Sequence, residues 1–143
     1  MIKGISPLLS PELLKTIAAM GHGDELVIGD CNFPADSMNQ RCIRCDGLRA
    51  TEVLDAILQL FPLDTFVEAP VTLMATQPGV LDGDPPIWKE FREIVDKYEG
   101  ADKKFQQIER FEFYDRARKA YATVATSEQA YYACIIIKKG TLV

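Results

Sequence analysis

Residues 10–30 read SPELLKTIAAMGHGDELVIGD and combine a capped helix pattern with a buried strand pattern. Ser10 can accept a hydrogen bond at the start of the helix, Pro11 suits its first turn, and Gly21 can end it. The run ELVIGD, residues 25–30, is short and apolar, as buried strands are. This unit of a helix followed by a strand predicts an α/β fold.

The alternation of helices and short apolar strands continues along the chain. Apolar spacing predicts further helices over residues 52–61 (capped by Thr51), 87–100 and 112–120. Strands are predicted over residues 40–47, 64–74, 121–126 and 131–140, with Pro70 marking an edge strand or a bulge. Residues 31–37 are predicted as a loop, and residues 75–86 have the Pro, Gly and Asp content of a mobile flap.

No repeat and no linker divides the 143 residues. We therefore expect one domain over residues 1–143, a three-layer α/β structure whose central sheet carries helices on both faces. In such sheets ligands bind beyond the carboxyl ends of the strands, where the loops converge.

Composition limits the classes of partner. The net charge of −5 and the lack of a basic cluster disfavour nucleic acid and anionic membrane surfaces. We identify no signal peptide and no apolar run of membrane-spanning length. Four cysteines in a chain of this size are expected to be reduced, which favours a cytoplasmic protein.

Two of the cysteines, Cys42 and Cys45, have C-x-x-C spacing. A redox pair is expected at a helix N-terminus, and a structural zinc site is expected to contain a second such pair. Here the motif lies in a predicted strand and is single. We interpret the thiols as small buried apolar side chains, and expect no metal site.

His22, between Gly21 and Gly23, is the only histidine in the chain. The two glycines leave open space beside the imidazole, and a histidine near acidic groups is suited to acid/base chemistry. The alternative is a surface histidine that happens to lie in a turn. Both interpretations stay open on the sequence alone.

Other polar side chains are candidates for a site, each with a structural alternative. Asp30 ends a buried strand, but it could equally open an Asx-turn. Asp64 could cap a turn after a proline. Arg110 and Tyr114 flank an aromatic stretch, over which the arginine could simply extend. Tyr132 precedes an apolar strand and could be packing. A lone histidine with carboxylates, an arginine and tyrosines suits proton transfer on an uncharged, polyhydroxylated ligand.

Several blocks of the sequence, in the same order, resemble the L-fucose mutarotase branch of a small family that also contains D-ribose pyranase. These blocks are KGISPLLSPELLKTIAAMGHGDELVIGD at 3–30, PLDTF at 62–66 and RFEFYDRARKAYATVAT at 110–126. The combination covers nearly the whole chain and is much more specific than any short motif.

The resemblance implies a cofactor-free isomerase that interconverts the anomers of a reducing sugar and forms a homo-oligomer, rings included. It implies a general acid/base role for His22, with Tyr114 as the second catalytic candidate. It implies polar or sugar-binding roles for Asp30, Asp64, Arg110 and Tyr132. For an oligomer, we expect subunit contacts at the C-terminal strand, residues 131–140, and at the long loop, residues 75–86.

Residues 132–134, Tyr-Ala-Cys, depart from the Tyr-Gly-Asn that the family usually has. Cys134 would occupy a substrate-binding position with a weak thiol donor instead of an amide. Losing one neutral hydrogen bond costs about 1 kcal/mol, so we expect an altered sugar preference rather than lost catalysis. Two alternatives stay open: a D-ribose pyranase, and a non-catalytic sugar-binding module of the same fold.

Overall fold

The computed structural model describes all residues, 1–143. Its helices are α1 (Pro11–Ala19), α2 (Ala35–Met38), α3 (Ala50–Leu58), α4 (Pro86–Glu99) and α5 (Arg110–Lys119). Its strands are β1 (Glu25–Gly29), β2 (Cys42–Cys45), β3 (Val71–Met74), β4 (Phe105–Ile108), β5 (Ala122–Thr126) and β6 (Ile135–Lys138).

The six strands form one sheet in the order β2-β5-β1-β6-β3-β4. The pairs β1–β5, β2–β5 and β3–β4 are parallel, whereas β6 is antiparallel to its neighbours β1 and β3. The start of β6 therefore lies at the same edge of the sheet as the carboxyl ends of β1 and β3.

Apolar side chains pack on both faces of this sheet. Leu26 and Ile28 of β1 belong to the larger core, with residues of α1, α3 and α4. Val27 of the same strand faces the smaller core, with Phe113 of α5 and Ala35 of α2. Because successive side chains of a strand point to opposite faces, one apolar strand serves both layers. The predicted α/β fold with helices on both faces is confirmed.

The start of the first helix is as predicted, since the Ser10 side chain accepts a hydrogen bond from the Leu13 backbone N–H at 3.1 Å. The predicted cap at Thr51 is wrong. The N-cap of α3 is Arg49, whose backbone N–H donates to the Glu52 carboxylate at 2.9 Å. This contact satisfies a free backbone donor, so the helix begins one residue before Thr51.

The edge position predicted from Pro70 is also wrong. The strand β3 begins after this proline and is interior to the sheet. The Pro70 carbonyl still accepts a hydrogen bond from the Lys138 N–H at 3.0 Å. A proline immediately before a strand removes no donor from the ladder, so an interior position is tolerated.

Other elements also differ from the prediction, and the strand predicted over residues 64–74 is limited to Val71–Met74. The edge strand β4 was not predicted, and α2 begins inside the predicted loop 31–37 and ends one residue beyond it. The helix α5 begins at Arg110, because the Glu109 carboxylate accepts from the backbone N–H groups of Phe111 and Glu112 at 2.8 and 3.2 Å.

The C-terminal strand β6 is central, and its residues Ile135–Ile137 are at most 1% exposed. Both edges of β6 are paired within the chain, so this strand cannot extend the sheet into another copy, and subunit contact by the rest of the predicted strand, residues 131–140, stays a prediction. As for membranes, none of the helices has the length and apolar character of a spanning segment.

The thiols of the C-x-x-C motif lie on opposite faces of β2. Cys45 packs in the larger core and Cys42 against the smaller one. Burial raises the pKa of both thiols. Thiols on opposite faces and with raised pKa values do not form a reactive pair, which supports the interpretation of both as packing side chains.

Candidate functional site

A cleft of about 240 Å³ opens at the carboxyl edge of the parallel strands. Five of the sequence candidates line it: Asp30, Arg110, Tyr114, Tyr132 and Cys134. The lining also includes seven residues that are not among the site candidates: Asn32, Phe33, Met74, Gln77, Val80, Ala130 and Tyr131. Most of these follow a strand end or lie in the long loop, which was the only sequence signal that could have found them.

Asp30 follows the last residue of β1. One of its carboxylate oxygens accepts a hydrogen bond from the Asn32 backbone N–H at 3.0 Å, so the Asx-turn considered above is present. The turn also fixes the carboxylate at the cleft. Gly29 allows this geometry, because a Cβ there would lie 2.5 Å from a ring carbon of Phe33. The missing side chain lets Phe33 fold back against the strand end and line the cleft.

Arg110 and Tyr114 lie one turn apart on α5. The Arg110 Nε–H donates to the Tyr114 hydroxyl at 3.2 Å, and the guanidinium lies 5.3 Å from the centre of that ring. The arginine thus does extend over aromatic surface, as the structural alternative held, but it also reaches the cleft. Because the Tyr114 oxygen accepts this hydrogen bond, its own proton is free to be donated to a ligand.

Tyr132 and Cys134 form the third side of the cleft. The Tyr132 hydroxyl accepts a hydrogen bond from the Gln77 backbone N–H at 3.0 Å. Cys134 is 3% exposed, and burial and the Asp30 carboxylate raise its pKa well above the usual range. It therefore presents a neutral thiol to the cleft.

His22 and Asp64 do not line this cleft. His22 precedes β1, whereas Asp30 follows it, and the Gly23 N–H donates to the carbonyl of Lys139, beyond the end of β6, at 2.8 Å. The strand between them alone rises about 13 Å, at roughly 3.3 Å per residue. Within one chain the imidazole and the cleft therefore lie at opposite ends of the strands of the sheet.

His22 forms a second group with Asp64 and Phe66. Its Nε2 lies 3.0 Å from Oδ1 of Asp64, and its ring centre lies 5.3 Å from that of Phe66. The His22 side chain is 44% exposed, whereas that of Asp64 is 4% exposed. The imidazole is thus reachable from solvent, and the carboxylate beneath it is not.

The charge state of Asp64 fixes the proton on the histidine. Burial raises the pKa of this carboxyl, but hydrogen bonds from the Phe66 N–H and from His22 outweigh it, so the net pKa is lowered. An ionised carboxylate only accepts hydrogen bonds, so Nε2 of His22 carries a proton and donates it. When the imidazole is neutral, Nδ1 is left free to accept a proton from a ligand.

Backbone contacts hold this pair in place. The Asp64 N–H donates to the Lys138 carbonyl at 3.0 Å, and the Gly140 N–H donates to the Pro62 carbonyl at 2.8 Å. A Cβ at Gly140 would lie 2.7 Å from the Leu63 carbonyl carbon and 2.9 Å from the Asp64 Cα. Only glycine allows the two backbone segments to approach this closely.

Gly21 and Gly23, on either side of His22, contribute to the turn in different ways. Gly23 has a φ of +87°, which other residues rarely adopt, and its Cβ would meet no atom within 4 Å. The Gly21 N–H donates to the Asp24 carboxylate at 2.7 Å, which closes the turn. The result is a tight turn that presents an unshielded imidazole, in line with the acid/base interpretation of His22.

Asp64→Asn should weaken the protein mainly above about pH 4. The lowered pKa means that the Asp64 carboxylate stabilises the fold above its unfolded pKa, and that this stabilisation is lost as the pH falls through the folded value. The difference in free energy of unfolding between wild type and variant should therefore shrink between about pH 7 and pH 3, measured by urea denaturation.

Asp46→Asn is the matched control, because a hydrogen bond from Arg44 lowers the pKa of Asp46 too, but both side chains are exposed. Its effect should be small at every pH. An Asp64→Asn difference that is equal at both ends of the pH range would contradict the assigned charge state.

Comparisons with known proteins cover almost the whole chain. The sequence profile of the RbsD / FucU transport protein family matches residues 3–142. An L-fucose mutarotase of Actinobacillus pleuropneumoniae is 49% identical over 140 residues, which span 98% of this chain and 96% of that protein. The human fucose mutarotase is 48% identical over 147 residues, spanning 99% of this chain and 94% of that protein.

The fold has a solved counterpart. The crystal structure of the fucose mutarotase from Streptococcus pneumoniae in complex with L-fucose superposes with a TM-score of 0.94 at 44% identity, and covers 99% of this chain and 100% of that one. The resemblance seen in the sequence blocks is thereby confirmed. The chain belongs to the RbsD / FucU transport protein family.

Proposed function

We propose that the protein is an L-fucose mutarotase, which interconverts the α and β anomers of L-fucose. The observation that carries this proposal is the cleft, in which a carboxylate, a guanidinium and three phenols surround a space of about 240 Å³. That volume is below the range for drug-sized ligands and suits a single small sugar. The names of the relatives, and the L-fucose held by the S. pneumoniae structure, support the choice of sugar.

The reaction needs only proton transfers. A base takes the proton of the anomeric hydroxyl while an acid protonates the ring oxygen, and the bond between the anomeric carbon and that oxygen breaks. The resulting aldehyde rotates, and the ring closes on its other face with the two proton transfers reversed. Positioned acids and bases accelerate such steps by about 10²–10⁴-fold, so side chains alone suffice.

The cleft supplies groups for binding and for one of the proton transfers. Asp30 accepts hydrogen bonds from sugar hydroxyls, and Arg110 donates to their oxygens. Tyr114 can donate its phenol proton, because Arg110 already occupies an acceptor site of its oxygen. Tyr132 and Cys134 complete the wall, and the neutral thiol of Cys134 gives a weaker contact than an amide would.

We infer that His22 from another copy of the chain performs the second proton transfer. Within one chain this imidazole lies at the opposite edge of the sheet from the cleft. Its neighbour Phe66 is 76% exposed, while Phe111 and Tyr131 near the cleft are 63% and 69% exposed. Exposed aromatic side chains at both places support the proposal that two different surfaces of neighbouring copies meet there.

We therefore propose that the protein is a homo-oligomer in which the His22–Asp64 pair of one subunit completes the cleft of the next. A contact between two different surfaces repeats from copy to copy and closes into a ring when the rotation permits.

The four free thiols also support a reducing compartment, and we place the protein in the cytoplasm.

Saturation-transfer NMR tests the proposal directly. One anomer of L-fucose is saturated, and transfer to the other anomer is compared with and without protein. D-Ribose, monitored between its ring forms, is the second substrate. Faster exchange of L-fucose supports the proposal, whereas faster exchange of D-ribose alone makes the protein a pyranase. Binding without faster exchange would make it a sugar-binding module.

Tyr114→Phe should slow anomer exchange by about 10–10²-fold, because the phenol proton is lost while the ring still packs. The rate at saturating sugar, from the same NMR measurement, checks this. Tyr121→Phe is the control, since Tyr121 is half-buried and stacks with Arg41 at 4.2 Å, away from the cleft. An unchanged rate for Tyr114→Phe would reduce Tyr114 to packing.

A further inference from the structure

The long loop between β3 and α4 comprises residues 75–85. Hydrogen bonds join both of its ends to Tyr132. Near its start, the Gln77 N–H donates to the Tyr132 hydroxyl at 3.0 Å. Just past its end, the indole N–H of Trp88, in the first turn of α4, donates to the Tyr132 backbone carbonyl at 3.0 Å. Gln77 and Val80 of this loop line the cleft, as does Tyr132 itself.

Tyr132 has an unfavourable backbone conformation. With a φ of +55° it is the only residue other than glycine with a positive φ in the chain. L-residues with bulky side chains rarely adopt this region, and they persist there when surrounding contacts over-determine the geometry. The hydrogen bond from Trp88 holds the carbonyl of the strained residue itself, so it is a contact that can maintain this conformation.

Trp88 does more than fill the core. It is 7% exposed and belongs to the larger core, as its place on an apolar helix stripe predicts. A purely apolar role would not require a hydrogen bond from the indole N–H, although buried indoles usually donate one. Here the acceptor is the backbone carbonyl of Tyr132, the residue with the strained conformation at the cleft.

We propose that Trp88 is a positioning residue that holds Tyr132 in its strained conformation, so that the phenol both lines the sugar cleft and fastens loop 75–85 beside it. Without the indole N–H, the backbone of Tyr132 can relax to a negative φ, which moves the phenol and releases the Gln77 N–H. This inference rests on the proposed function for its kinetic consequence, but its structural consequence is independent of any sugar.

Trp88→Phe tests the inference, because it keeps an aromatic ring and removes the donor. We expect the KM for L-fucose to rise about tenfold, the equivalent of one hydrogen bond and its ordering effect, with kcat within about twofold. Tyr98→Phe is the matched control on the same helix, since it removes only a hydrogen bond to Asp55. It should leave both constants unchanged.

Hydrogen–deuterium exchange of the sugar-free protein supplies the independent readout. In Trp88→Phe the amide of Gln77 should exchange at least several-fold faster, while amides of the core strands stay protected. If Trp88→Phe lowers thermal stability but leaves the KM and the Gln77 exchange rate unchanged, Trp88 is merely structural and the inference is wrong. If no sugar is turned over by the wild type, the proposed function fails, and the exchange rates still decide the inference.

Discussion

Replacing His22 with alanine is expected to slow anomer exchange of L-fucose by about 10²–10⁴-fold, the usual contribution of one acid/base group. The effect should fall on the rate at saturating sugar, because the binding groups of the cleft lie on other elements. Exchange between the anomers, measured by NMR over a series of sugar concentrations, gives that rate.

The same variant should fold normally. The His22 side chain is 44% exposed, so the main contact that the variant loses is the hydrogen bond to Asp64, and we expect this loss to cost about 1–3 kcal/mol. Asp64 keeps the hydrogen bond from the Phe66 N–H when the imidazole is removed. Lys15→Ala, an exposed substitution on α1, is the control and should leave both the exchange rate and the unfolding curve unchanged. Full activity of His22→Ala, with a normal unfolding curve, would remove this residue from the mechanism.

The sequence predicted the architecture well where the local physical signals are strong. The helix α1 has a serine cap and buries Leu13 and Ile17 at helical spacing, and the strand β1 is an uninterrupted apolar run. The edge strand β4 could not be found in this way, since Phe105–Ile108 contains two glutamines and is nowhere fully buried. Its pairing with β3 is a tertiary effect that no local pattern encodes.

The structure brings most of the candidate residues together, but not all of them. Five of the seven line one cleft, and sequence reasoning treated His22 as part of the same site. Yet His22 precedes β1 and Asp30 follows it, and residues at the two ends of one strand lie at opposite edges of a sheet. The separation was therefore predictable from the chain order once the strand was identified. In the function proposed above a second copy completes the cleft, and no property of the single chain specifies that contact.

That dependence gives the second large effect: two inactive variants should restore activity when their subunits mix. Arg110→Ala removes a sugar-binding group of the cleft but leaves the distant His22–Asp64 pair intact, and His22→Ala does the reverse. A mixed contact then pairs a complete cleft from the His22→Ala chain with an intact imidazole from the Arg110→Ala chain. In an equimolar random mixture about one quarter of such contacts are complete.

Activity of the mixture should therefore rise from near zero to about one quarter of the wild-type rate, after subunit exchange that mass spectrometry verifies on the intact oligomer. A chain with both substitutions, mixed with His22→Ala, is the control, because no contact in it has an intact imidazole. Should verified mixed oligomers stay as inactive as their parents, the imidazole does not act across the subunit boundary. Since the single chain places it at the other edge of the sheet, His22 would then have no route to the sugar in the cleft.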